Sequence, residues 1–198
     1  LDLDADDITR LRANGFELVR SDALGQAGGT VHLLRGPSRV SDRDALSMIE
    51  DVADPGSLSF NHLFDSSSGR VRQVRAVAPR ERPACGCQVG LIDTGVANRL
   101  PSFAHISIEQ RAFNGTTISP RLHGTAIAHL FAGTFARRRE TTRVVVADIF
   151  SGERSSAGST YALVRALGWL ASRNLPVINV SLAGPRNSVV AATIQRLN

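Results

Sequence analysis

Hydrophobic and polar positions alternate differently in the two halves of the chain. Residues 4–14 place acids first, set Ile8 and Leu11 three apart and meet Gly15 as a stop, which predicts a short helix. Residues 16–21 alternate Phe and Leu with Glu and Arg, the pattern of a half-buried strand. Residues 25–29 read as a turn, and residues 30–35 as a second strand ended by Gly36 and Pro37. Ser41 suits an N-cap, and Ala45, Leu46, Ile49, Val52 and Ala53 form a helical stripe up to Pro55. Leu58, Phe60, His62 and Phe64 alternate and predict a third strand over residues 57–64. One strand ahead of residue 1 would complete a ferredoxin-like βαββαβ unit.

Residues 65–84 are rich in Ser, Arg and Pro with little apolar pattern, and read as a linker between a front domain over 1–64 and a back domain over 85–198. From Val89 the apolar runs become continuous: VGLI, VVVA and PVINV. Such runs suit strands of a parallel sheet covered on both faces. Helical patterns over 123–132 and 160–172 lie between them, so the expected class is α/β, a doubly wound, mostly parallel sheet preceded by a small α+β domain.

Charge sharpens the division. Residues 1–80 hold 10 Arg against 12 acids, a net −2, and residues 81–198 hold 13 Arg against 6 acids, a net +7. An acidic front and a basic back suit two parts that dock on each other. A nucleic-acid stripe is the weaker alternative, because the Arg residues are scattered and 1 Trp and 1 Tyr offer little base stacking. No apolar run is long enough to span a membrane. The chain opens on Leu1 without a charged-then-apolar leader, which suggests a processed or trimmed product. Cys85 and Cys87 are too few for a zinc site and too close for an unstrained mutual disulfide, so a free pair is expected.

Three segments carry candidate chemistry. Asp93 ends the VGLI run and precedes Thr94 and Gly95, at the carboxyl end of a strand where ligands of parallel sheets bind. His123 opens the helical stretch HGTAIAHLFAG, where a helix N-terminus disfavours the imidazolium and keeps the ring able to accept a proton. His129, further along, suits a core or rim position. Residues 177–185 read VINVSLAGP, a strand running into small residues that let a peptide backbone lie close.

DTG after an apolar strand, HGT 30 residues later and NVSLAGP with its Ser 58 residues after that His together resemble the subtilisin-like (S8-type) serine peptidase family over residues 87–198. Residues 1–64, ending in LSFNHLF, look like that family's inhibitory, chaperone-like propeptide. The resemblance implies Asp93 as the triad carboxylate and His123 as the general base. It implies Ser181, Leu182, Ala183 and Gly184 as one wall of a peptide groove, and Ala157 and Gly158 as the other. It further implies a polypeptide substrate, an intramolecular contact between propeptide and catalytic part, no cofactor, and a secreted, periplasmic or envelope location. Ala183 stands where many relatives have Gly, which would narrow the groove.

Two departures follow. The family's GTSxA nucleophile segment does not occur in residues 1–198, so the serine is expected beyond Asn198, together with the oxyanion Asn, and this chain alone is expected to be inactive. The stretch FARRRETTR runs directly into VVVA, without the oxygen-rich loop that binds calcium in many relatives, so no metal is expected there. The alternative function is a catalytically inactive module that holds peptide or another protease.

Overall fold

The runs VGLI and VVVA become the central strands of a parallel sheet, and PVINV supplies an edge strand. The computed structural model describes residues 1–66, 88–136, 142–150 and 157–197. Linker positions 67–84, Cys85 and Cys87, and residues 137–141 of the stretch expected to lack a calcium loop lie outside the described residues. From the N-terminus the chain forms α1 (Ala5–Ala13), β1 (Glu17–Ala23), β2 (Thr30–Arg35), α2 (Asp42–Glu50) and β3 (Leu63–Ser66). Then come β4 (Gln88–Asp93), β5 (Ile106–Ala112), α3 (Leu122–Ala136) and β6 (Thr142–Asp148). The last elements are β7 (Gly158–Ser159), α4 (Thr160–Ala171), β8 (Ile178–Val180), β9 (Leu182–Ala183) and α5 (Ser188–Arg196). They group into two compact units. The first joins Leu1–Phe64 to Ala157–Asn174 and Gly184–Asn198; the second joins Asp65–Ser156 to Leu175–Ala183.

The second unit is mixed α/β. Its sheet runs β5-β6-β4-β8 with every neighbour parallel. Leu91, Ile92, Val144, Val145, Val146 and Ala147 on the two central strands are fully buried, as their unbroken apolar sequence requires. Helix α3 packs on Val89, Leu91, Val144 and Val146 through Ala128 and Ala132, whose small side chains let the helix approach. The register sets Asp93 beside Asp148 at the carboxyl ends of β4 and β6.

The first unit starts with α1, capped by a reciprocal pair: the Asp4 carboxylate accepts the Asp7 N–H at 2.8 Å, and Asp7 accepts that of Asp4. Leu3, Leu11 and Phe16 pack against Ile8, Leu34, Ala45 and Ile49, joining α1 and α2 to the antiparallel hairpin β1-β2. A second cluster of Leu1, Leu24, Ala27 and Val31 closes on Tyr161, Val164 and Val189, so residues 1–64 are seated on α4 and α5. Gly168 of α4 makes this approach possible, since a methyl group there would come within 2.5 Å of the Leu24 carbonyl oxygen.

The third strand expected over residues 57–64 is not formed as such. Residues 58–62 join no ladder, the His62 N–H turns back to Phe60 O at 2.9 Å, and the β1-β2 sheet has two strands. Their carbonyls are taken by other partners instead. Ser188 Oγ donates to Leu58 O, Asn187 Nδ2 to Phe60 O at 3.1 Å, and the Thr160 N–H to His62 O at 2.9 Å. The described residues therefore do not build the three-stranded ferredoxin-like sheet. Regular pairing begins only at β3, where Leu63 and Phe64 pair antiparallel with Ser159 and Gly158.

Candidate active site

Asp93 is the last residue of β4, and nothing of it is exposed. His123 is the second residue of α3. Direct hydrogen bonds tie the two elements together. The Gly124 N–H donates to Thr94 Oγ1 at 3.0 Å, and a side chain at 124 would collide with the Thr94 main chain. Further along, the Ala97 N–H donates to Thr125 Oγ1 at 3.1 Å. Gln110 of β5 holds Val96 through both its N–H and its C=O, at 2.8 and 2.9 Å. The loop after Asp93 is thus fixed from two directions.

This scaffold brings the two predicted residues together. His123 Nδ1–H donates to the Asp93 carboxylate at 2.8 Å to Oδ2 and 2.9 Å to Oδ1. The Thr94 N–H adds a bond to Asp93 Oδ1 at 2.6 Å. A carboxylate acceptor places the proton on Nδ1, which leaves the lone pair on Nε2. The imidazole is 23% exposed and its partner wholly enclosed. Burial raises the Asp93 pKa above the ordinary carboxyl value, while the His123 and Thr94 bonds oppose that rise. A fixed imidazole of this kind can take a proton from a hydroxyl and return it to a leaving group.

The peptide-wall candidates fall in both units. In the second unit Ser181 follows β8, its N–H donates to Ile92 O at 3.3 Å, and its hydroxyl accepts from Asn179 Nδ2 at 2.6 Å. Leu182 and Ala183 form β9 and pair antiparallel with Ser66 and Asp65. In the first unit Gly158 is buried and pairs with Phe64, with Ala157 just before it. Gly184 lies under the Phe64 ring; a methyl group there would come within 2.7 Å of Phe64 Cε1. His129 meets Phe103 edge-on with ring centres 6.2 Å apart, a packing role.

Asp148 is a site-adjacent carboxylate that motif matching overlooks. Its signal was present: VVVAD ends in an acid just as VGLID does, and the parallel register aligns the two. Among the described residues no group of three or more His, Cys, Asp or Glu is placed to hold a metal ion. No described helix is long and apolar enough to cross a membrane. No protein-family model matches the chain, and no curated protein matches it.

Proposed function

We propose that this chain is the front part of a subtilisin-like serine endopeptidase precursor, secreted or held in the cell envelope. Asp93 orients and stabilises the imidazole, and His123 is the general base toward a serine hydroxyl. Ser181, Leu182, Ala183 and Gly184, with Ala157 and Gly158, bind the peptide main chain as an added strand. Residues 1–64 act as the inhibitory propeptide. The observation that carries this reading is the doubly bonded contact of His123 Nδ1 with a wholly buried carboxylate. Two further contacts support it. Residues 63–66 take up antiparallel strand pairing with Gly158–Ser159 and Leu182–Ala183, as an inhibitory segment would. Asp22 accepts the Tyr161 hydroxyl and meets Arg165 Nε at 3.1 Å, tying β1 to α4 by charge.

The test is to express the reading frame through any GTSxA segment that follows the Asn198 codon and to assay peptide hydrolysis. Activity abolished by His123→Ala, with a cut between about Phe64 and Cys85 seen by mass spectrometry, is the expected result. An extended product with the serine in place and no hydrolysis sinks the proposal. A second reading is an inactive module that holds peptide or another protease. A stop codon directly after Asn198 would select it.

A further inference from the structure

Asp148 is fully buried on a strand that contributes no atom to the Asp93–His123 contact. Its carboxylate accepts three main-chain N–H groups from three segments. The Ser119 N–H reaches Oδ2 at 2.7 Å and the Phe150 N–H reaches Oδ1 at 3.0 Å, with the Gly95 N–H as the third. Gly95 lies two residues after Asp93, and Ser119 four residues before His123. The same two segments also touch directly, through a Gly95–Pro120 bridge and an Arg121 N–H to Gly95 O bond at 3.1 Å. Gly95 has to be a glycine for this: a methyl group there would stand 2.6 Å from Ile118 Cγ2 and 2.9 Å from Asp148 Oδ2.

We infer that Asp148 is a positioning residue for His123, one buried carboxylate that sets the spacing between the strand end carrying Asp93 and the helix start carrying His123. It is not one of the two partners in the Asp93–His123 contact. Its grip is specific because a carboxylate offers only acceptors, and all three partners are donors. An amide in its place turns one acceptor into a donor that faces N–H groups. Burial raises the Asp148 pKa, and the three N–H bonds and Arg121 oppose the rise. The role deepens the protease proposal and rests on its Asp93–His123 pair, but not on peptide hydrolysis.

The experiment is proton and carbon NMR of the 198-residue chain, comparing wild type with Asp148→Asn and Ser119→Pro. The readouts are the far-downfield Nδ1 proton of His123 and the titration of its ring, with far-UV circular dichroism as a check of folding. Wild type shows the downfield proton. In Asp148→Asn it is lost, and the His123 pKa falls by about one unit as the Asp93 contact loosens. Ser119→Pro removes one N–H but keeps the Asp148 charge, and shifts both readouts in the same direction. A folded Asp148→Asn that keeps both readouts overturns the inference. So does a Ser119→Pro with unchanged readouts, because the Asp148 effect would then be charge alone. If Asp148→Asn does not fold, Ser119→Pro decides by itself. A missing downfield proton in wild type removes the Asp93–His123 pair, and this inference with it. An inactive extended enzyme removes the protease proposal and leaves the measurement standing.

Discussion

Two glycines of one helix give a matched test of how tightly α3 is held against β4. Gly124 and Gly133 both lie in Leu122–Ala136. A methyl group at 133 meets nothing within 4 Å. At 124 it would lie 2.7 Å from Thr94 Oγ1 and closer still to the Thr94 carbonyl oxygen, where ordinary contact begins at 3.4 Å. To clear the hydroxyl alone the helix start must retreat by about 0.7 Å, which carries His123 Nδ1 from 2.8–2.9 Å out to about 3.5 Å from Asp93, past a good hydrogen bond. Overpacking of this kind costs about 1–3 kcal/mol. Losing the Gly124 bond to Thr94 adds about 0.5–1.5 kcal/mol. The helix-propensity gain of Gly→Ala, up to about 1 kcal/mol, applies to both sites and largely cancels in the comparison. Gly124→Ala should therefore be about 2–4 kcal/mol less stable than Gly133→Ala by urea unfolding, and it should lose the downfield His123 proton. Equal unfolding midpoints for the two variants would refute the close-approach account.

Three more outcomes are expected. Leu91→Ala empties a fully buried position of β4 and should cost about 2–5 kcal/mol in urea unfolding; a loss under 1 kcal/mol would mean the sheet core is loose. Asn187→Ala removes the N-cap of α5, whose Oδ1 accepts the Val190 N–H at 3.1 Å, and three Nδ2 contacts to Phe60 O, His62 Nδ1 and Thr160 Oγ1. It should cost about 1–3 kcal/mol and speed exchange of the Val190 amide, and unchanged exchange would count against the cap. Burial holds the Asp148 carboxyl above its ordinary value of 3.8, so the folded chain keeps that proton to a higher pH than the unfolded chain does. The stability this gives at low pH is lost as pH rises from 3.8 through the folded value. Wild-type stability relative to Asp148→Asn should fall across that window, and a flat difference would refute the assignment.

Much of the second unit was legible in the sequence because burial on both faces leaves a plain mark: VGLI and VVVA are strands β4 and β6, and the residues at their carboxyl ends follow from that. The pairing of Asp93 with His123 was legible only through the resemblance to subtilisin-like peptidases that DTG and HGT carry together. Strand β5 was not legible. Its sequence ISIEQRA turns polar after Ile108, and it sits at the sheet edge, where one ladder with β6 suffices. Helix α5 was also missed. It has 9 residues and two buried ones, Val189 and Thr193, so its pattern is thin; the Asn187 cap was the available signal. Residues 57–64 misled for another reason. Burial contrast is confined to residues 61–64, Phe60 is itself exposed, and Asn187, Ser188 and Thr160 satisfy the main chain that a neighbouring strand would otherwise pair with. Alternation reports which way side chains face, and it does not report who holds the carbonyls.

The make-up of the first unit has a kinetic consequence. Its joins span long stretches of chain: Tyr161 N–H to Asn61 Oδ1 closes 100 residues, Ser188 to Leu58 closes 130, and Arg196 to Asp2, at 2.6 Å, closes 194. A ribosome releases residues 1–64 long before α5 exists. At about 5–20 residues per second, the front segment waits several seconds with the surface of Leu1, Leu24 and Val31 uncovered. High contact order slows the closing step itself. The hairpin and α1 can form early and locally, whereas the seat beneath them arrives last. During that interval the apolar face of the front segment stays open to solvent.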